Sequence, residues 1–301
     1  METVLITGGT GLIGKALTNH LLEKGYSVII LSRQYKKSSR PNVSFGQWDV
    51  SQQTIDIDAI QKADHIVHLA GAGVVDKKWT AAYKKEIQDS RIKSSELLIN
   101  TLQNTSNNVK TIVSASAIGF YQATDILHTE EEPADDSFLG ETCKLWETSI
   151  QPVTTLNKRL VILRTGIVLS KDGGALAEFK KPIKFGIAAI IANGKQIVSW
   201  VHIDDLCKLY IAAIENPNLS GTYNAVATSP VSNKELTMLL AKKMKGRFFI
   251  PMYVPAFVLK IMLGGRSIEV LKSNAVSNKK ILEAGFEFDY ATIDEALENL
   301  K

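Results

Sequence analysis

The chain has 301 residues, 45% of them hydrophobic and 22% charged, a balance that supports a substantial core and excludes extended disorder and fibrous repeats. Its 35 basic and 31 acidic residues leave a formal charge of +4, an excess too small and too scattered to argue for a nucleic-acid partner. No apolar run approaches the roughly 20 residues of a membrane span, and the two cysteines, Cys143 and Cys207, form neither a metal-ligand spacing nor a disulfide framework.

Short β-branched runs at 4–7, 27–32, 65–69, 111–114 and 160–163 read as buried strands of a parallel sheet. Between them, 13–24 and 84–103 carry apolar residues at three- and four-residue spacing, which predicts helices packed on that sheet. Chain entry is directly into the first strand, with no basic stretch followed by an apolar run and cleavage site, so a cytoplasmic protein is expected. After Arg164 the alternation loosens around Gly173, Gly174, Gly186 and Gly194, and a second lobe is expected to begin there. Residues 198–202 and 221–225 read as strands returning to the first lobe. From Ser232 onward the pattern is mainly helical, with Pro251 and Pro255 close to an apolar helix at 256–263.

Between the first strand and the first helix stands Thr7-Gly8-Gly9-Thr10-Gly11-Leu12-Ile13-Gly14. Glycines at positions 8, 11 and 14 permit a tight turn, close approach of backbone to a diphosphate, and close packing of helix on strand. The helix start then offers free N–H groups and partial positive charge. Gly8, Thr10, Gly11, Leu12, Ile13 and Gly14 are therefore candidate cofactor-binding residues. The second strand ends at Ser32-Arg33, where an NAD site usually carries an acid. A guanidinium there matches a 2′-phosphate in planar, bidentate fashion, so Ser32 and Arg33, helped by Lys37, favour NADP over NAD. The cluster Lys36, Lys37 and Arg40 reads either as an anion site or as a solvated loop.

These features predict an α/β protein: a Rossmann-type doubly wound parallel sheet with a smaller, mainly helical C-terminal substrate lobe. The expected division is 1–170 for the dinucleotide-binding domain, with a returning segment at about 196–228, and 171–195 with 229–301 for the substrate lobe.

Several motifs extend the pattern. Trp48-Asp49-Val50, His68-Leu69-Ala70-Gly71, Arg164-Thr165-Gly166, Trp200-Val201-His202-Ile203-Asp204-Asp205-Leu206 and Gly221-Thr222-Tyr223-Asn224 resemble, in order, segments of the extended short-chain dehydrogenases/reductases. A narrower set is Lys78-Trp79-Thr80, Asp89-Ser90-Arg91-Ile92, Ser116-Ala117-Ile118-Gly119-Phe120-Tyr121 and Leu282-Glu283-Ala284-Gly285-Phe286-Glu287-Phe288. It resembles the bacterial "epimerase" subgroup of atypical members, whose C-terminus carries a domain of unknown function. The resemblance implies that Asp49, Leu69, Ala70 and Gly71 line the adenine-ribose side of the cofactor, with Thr165 also at the cofactor. It implies NAD(P) binding and leaves the substrate unassigned.

Members of that family reduce or oxidise a carbonyl/alcohol pair with a Ser or Thr, a Tyr and a Lys, the cation bringing the phenol into working range. The resemblance places Ser116 at the serine position, orienting a carbonyl oxygen, and Lys144 at the lysine position, holding ribose hydroxyls. Four residues before Lys144 stands Gly140, so the tyrosine is absent. Tyr121 is the candidate substitute proton donor, ahead of Glu141 and Cys143; its other reading is packing at the pocket mouth. Arg91 and Lys93 either bind an anion or are solvated helix charges. His202, Asp204 and Asp205 read as ordering the lobe junction, and Trp79 and Trp200 as packing or as a stacking surface. Two functions follow: an NADP-dependent oxidoreductase or epimerase-like enzyme acting on an unidentified small molecule, or a non-catalytic NADP(H)-binding protein reporting cofactor state to a partner. Oligomeric state stays open.

Overall fold

A computed structural model describes residues 1–34 and 36–301. The first half alternates strand and helix: β1 (Thr3–Thr7), α1 (Leu12–Glu23), β2 (Ser27–Ser32), β3 (Val43–Asp49), β4 (Thr54–Ile55), α2 (Ile57–Lys62), β5 (His65–His68), α3 (Ala81–Asn104) and β6 (Thr111–Ala117). Then come β7 (Thr124–His128), α4 (Phe138–Ile150), β8 (Arg159–Thr165), β9 (Ile167–Ser170), β10 (Gly173–Gly174), α5 (Ala175–Lys184) and β11 (Ile187–Ile191). The remainder comprises β12 (Ile197–Val198), β13 (Trp200–His202), α6 (Ile203–Glu215), β14 (Gly221–Ala225), β15 (Val231–Ser232), α7 (Asn233–Lys245), β16 (Ile250–Val254), α8 (Ala256–Leu263), α9 (Ser267–Leu271), β17 (Asn274–Val276), α10 (Lys279–Glu283) and α11 (Ile293–Asn299).

The main sheet has eight strands in the order β14-β8-β6-β5-β1-β2-β3-β4, parallel throughout except for the outermost β3–β4 pair. Strand order reverses between β1 and β5, which opens the crevice where doubly wound sheets bind ligands. Side-chain alternation covers both faces. Val4 and Ile6 pack with Val28, Ile30, Leu17, Leu21 and the buried side of α6, whereas Leu5, Ile29, Leu31 and Ile66 pack with Ala59, Ile60, Leu97 and Leu98 from α2 and α3.

The expected pattern needs three corrections, two of them beyond Arg164. Residues 198–202 are not one strand. β12 pairs with β15 and β17, β13 pairs with β9, and Ser199 sits between them, donating its hydroxyl to the Asn274 carbonyl at 2.8 Å. The C-terminal lobe also carries more strand than its sequence suggests: β16 runs parallel to β11, and β17 parallel to β7 from the first half. Pro251 lacks the amide a helix needs, and the Ile-Pro-Met-Tyr-Val run fits a strand placed beside another chain segment. Finally β3, with polar Ser44, Gln47 and Asp49 interrupting its apolar residues, escaped the strand pattern and extends the sheet beyond β2.

Candidate functional site at the switch point of the sheet

The glycine loop lies at the C-terminal end of β1, beside the crevice. Gly8 adopts φ +72°, and its carbonyl accepts the Gly11 N–H at 3.0 Å. A Cβ on Gly8 would come within 3.1 Å of the Leu69 carbonyl carbon; one on Gly14 would lie 2.5 Å from the Gly9 Cα. Both positions exclude any side chain, so loop, helix and the end of β5 close on one another through bare backbone. The buried Thr7 hydroxyl accepts the N–H groups of Leu69 and Ala70, each at 3.1 Å, fastening that segment to β1. Gly11 caps α1 without a side-chain bond, and no acid occupies the first turn. With Thr10 and Gly11 exposed and Leu12 and Ile13 half-buried, the helix start keeps unpaired donors and partial positive charge for an anion. A dinucleotide diphosphate fits this cradle.

Next to it, Ser32 is buried at the end of β2, and Arg33 is exposed. Asp49, ending β3, accepts from the Ser51 hydroxyl at 2.6 Å and from the Ser51 and Gln52 amides at 2.8 and 3.1 Å. The Ser51 hydroxyl first, then the Gln52 amide and the charge of Arg33, hold its carboxyl below the usual range. Lys36 and Lys37 are exposed, while Arg40 donates to Asn19 at 2.9 Å. Gly71, also exposed, borders the guanidinium of Arg91, which a Cβ at Gly71 would meet at 3.0 Å. Arg91 itself donates to the Ala72 and Ile87 carbonyls at 3.0 and 2.9 Å and lies 4.8 Å over the Trp146 ring. Its role in the structure is to brace the 70–72 segment, while Lys93 pairs with Asp89 at 3.2 Å.

At the end of β6 the arrangement differs from the expected catalytic set. The Ser116 hydroxyl donates to Glu147 Oε1 at 2.6 Å. Arg164 clamps the same carboxylate, Nε to Oε1 and Nη2 to Oε2, both at 2.8 Å. Its Nη1 donates to the Tyr121 hydroxyl at 3.0 Å and the Glu130 carbonyl at 3.2 Å. Tyr121 in turn donates to Asn224 Oδ1 at 2.6 Å. With its single proton directed at a carboxylate, Ser116 offers the cleft lone pairs rather than the donor a carbonyl oxygen needs.

Tyr121 is fully buried and stacks on His128; burial pushes its phenol up to about 12, against the pull of Arg164 and Asn224. Its hydroxyl joins β8 and β14 through Arg164 and Asn224. The face of α4 turned toward the end of β6 carries Leu139, Cys143 and Glu147 at four-residue steps, since Leu139 and Cys143 approach Gly119 and Glu147 reaches Ser116. Lys144 lies off this face, exposed and 3.9 Å from Glu141. Burial pushes the Cys143 thiol up to about 11, leaving it protonated at neutrality. Gly140 is no empty seat for a tyrosine either: its Cβ would fall 2.1 Å from the Asp135 carbonyl oxygen.

Sequence reasoning passed over Glu147, although a carboxylate eight residues after Leu139 on the same helical face, and Arg164 inside an apolar strand, were visible signals. Thr165 is half-buried with its hydroxyl on the Leu163 carbonyl at 3.3 Å. His202 is buried, stacks on Tyr290 and contacts Asn299 at 3.2 Å; Asp205 accepts the amides of Asp289 and Tyr290 at 2.8 and 3.0 Å. These contacts tie the C-terminal segment to α6. Trp200 is core, with its indole N–H on the Ser229 carbonyl, and Trp79 meets Phe138 edge to face at 5.0 Å near the start of α4. Among the described residues no cluster could hold a metal ion, and no helix is long and apolar enough to cross a membrane.

The NAD dependent epimerase/dehydratase family model matches residues 4–144, and the domain of unknown function DUF1731 matches residues 254–300. Over its whole length the chain is 33% identical to epimerase family protein SH2119 of Staphylococcus haemolyticus, covering 99% of that protein. Epimerase family protein YfhF of Bacillus subtilis is 32% identical, over 99% of this chain and 97% of its own. The crystal structure of human epimerase family protein SDR39U1 (isoform 2) with NADPH superposes with a TM-score of 0.85 at 26% identity, covering 99% of this chain and 98% of that one. MoeE5 in complex with UDP-glucuronic acid and NAD shares the fold, with a TM-score of 0.79 at 19% identity over 98% of this chain and 96% of its own.

Proposed function

Since the chain belongs to the epimerase family of NAD(P)-dependent, extended short-chain reductase-like proteins, we propose that it binds NADP(H) and works as an oxidoreductase or epimerase-like enzyme on a small molecule, without the family tyrosine. The observation that carries this reading is the cradle: Gly8 and Gly14, which leave no room for a side chain, beneath an uncapped helix start, with an exposed arginine where an acid would repel a 2′-phosphate. Gly8, Thr10, Gly11, Leu12, Ile13 and Gly14 hold the diphosphate, and Ser32 and Arg33 hold the 2′-phosphate. Asp49, Leu69, Ala70 and Gly71 line the adenine-ribose. Thr165 lies toward the nicotinamide, and Lys144 reaches a ribose hydroxyl only if it leaves Glu141. Bound cofactor supplies the hydride chemistry.

Ser116 receives a hydrogen bond from a substrate hydroxyl, because the serine's own O–H is donated to Glu147, which Arg164 holds in place. Two buried, unpaired cysteines suit a reducing cytoplasm. The test is fluorescence titration of cofactor-free protein with NADPH and NADH, wild type beside Arg33→Ala. Preference for NADPH that disappears in the variant is expected; binding of neither nucleotide overturns the reading.

One observation favours a second reading, a non-catalytic NADP(H)-binding protein that reports cofactor state. The helix face opposite Ser116 carries Leu139, a protonated Cys143 and Glu147, the last already engaged by Ser116 and Arg164, and no tyrosine. Redox-dependent partner binding without any turnover distinguishes it.

A further inference from the structure

Far along the chain from the cradle, β11 and β16 form a two-stranded parallel sheet in which β11 is covered on one face and β16 is exposed from Ile250 to Tyr253. Ile187, Ala189 and Ile191 pair directly with Ile250, Met252 and Val254, so these six apolar side chains share a face. Ala188 and Ile190 point the other way and are buried, Ala188 in the core with α5 and α7. The shared face is therefore the outer one, where Ile250 is 69% exposed. Parallel strands ordinarily have both faces buried.

Two phenylalanines stand at its end. Phe185 is 85% exposed and Phe248 87%, brought together where the Ile250 N–H donates to the Gly186 carbonyl at 2.8 Å. At the other end Val254 runs through Pro255 into α8, whose sequence is apolar except for Lys260. Helices that are apolar all round are normally buried, yet Phe257 and Ile261, one turn apart, are exposed. Such a patch on an otherwise ordinary surface marks an interaction site.

Charge around the patch decides what covers it. Lys184, Lys245, Arg247 and Lys260 interleave with these apolar residues in the chain, and none has an acidic partner among the described residues, in contrast to Lys243, held by Asp294 and Glu298. Beside Phe248, Lys242 and Arg247 flank an apolar groove on α7 lined by Met238, Leu239 and Phe249; its one acid, Glu235, stands about two turns away along the helix. A second copy would bring the same positive charges against one another. The rings of Phe185 and Phe248 project into solvent. A fluid interface of apolar chains under negative headgroups matches both features.

We propose that the β11–β16 face and α8 dock this protein peripherally on an anionic lipid surface, with Phe185, Phe248 and Phe257 entering the interface and the four basic residues meeting headgroup phosphates. This inference is independent of the cofactor reading. The experiment is co-sedimentation of the full chain with phosphatidylcholine vesicles, pure or with about one-third phosphatidylglycerol, at low and high salt. Expected is binding to the anionic vesicles alone, weakened by salt. Both Phe248→Ser/Phe257→Ser and Lys184→Glu/Arg247→Glu should lower binding by about tenfold or more. All four positions are on the surface, so circular dichroism should show each variant folded. Failure to pellet with anionic vesicles at low salt overturns the proposal, and so does equal binding to both compositions. A concentration-dependent dimer in ultracentrifugation that Phe248→Ser dissolves would do the same, assigning the face to a second copy.

Discussion

Removing the Glu147 carboxylate strikes the group on which Ser116, Arg164 and, through Arg164, Tyr121 depend. The side chains of Arg164 and Glu147 are 6% and 12% exposed, so the pair is nearly dry. Glu147→Ala deletes two charge-assisted bonds from Arg164 and one from Ser116. Breaking a buried pair from one side costs about 3–5 kcal/mol, because the other charge stays behind without its partner. Here Arg164 keeps the Tyr121 hydroxyl and the Glu130 carbonyl and the Phe120 ring 3.4 Å from its guanidinium carbon, which places the loss near the lower end, about 3 kcal/mol. At a urea slope of about 3 kcal/mol per molar, the midpoint should fall by about 1 M. The assay is urea unfolding followed by far-UV circular dichroism and tryptophan fluorescence, whose transitions must coincide for the difference to be read as a free energy. Glu147→Leu with Arg164→Met should cost less than the sum of the singles by about 2 kcal/mol or more, since it leaves no orphaned charge. A midpoint shift below about 0.3 M for Glu147→Ala would refute the reasoning, showing that desolvation of the pair already cancels its attraction.

Tyr121→Phe should cost about 1–3 kcal/mol by unpairing Asn224 Oδ1, yet leave the pH profile of any turnover unchanged; lost turnover at unchanged stability would restore the phenol as a proton donor. Thr7→Val removes the hydroxyl that accepts from Leu69 and Ala70, and because Leu69 keeps the Thr7 carbonyl at 3.2 Å the loss falls on Ala70. A cost of about 1–3 kcal/mol and weaker NADPH binding are expected by thermal unfolding and titration, and unchanged affinity would detach this segment from the cofactor site. His68 is fully buried and held down to about 3, by burial first and then by the charge of Arg91. The unfolded chain therefore takes up a proton near pH 6.5 that the folded one refuses. Stability contributed above that pH is lost as pH falls toward about 3, by up to about 1.4 kcal/mol per pH unit. His68→Asn should flatten the slope between about pH 6.5 and 5, and an identical slope in the variant would remove His68 as its source.

The doubly wound sheet and its glycine cradle were legible in the sequence because they rest on local rules. Buried parallel strands need continuous β-branched runs, amphipathic helices need three- and four-residue spacing, and the turn into α1 needs the left-handed conformation of Gly8 and the bare backbone of Gly14. What tertiary structure decided lies where residues distant in the chain choose among alternatives of equal local merit. β16 became a strand because β11 lay beside it, and residues 198–202 split because Ser199 was claimed by Asn274. Counting along α4 matched Gly140 and Lys144 to the family spacing, but packing of the helix is what brought Leu139, Cys143 and Glu147 against the end of β6. One residue along a helix is about 100° of rotation, and only packing fixes that angle. The same dependence buried Tyr121: its phenol found Asn224 and Arg164, over a hundred and about forty residues away respectively, partners that no local pattern around Tyr121 could announce.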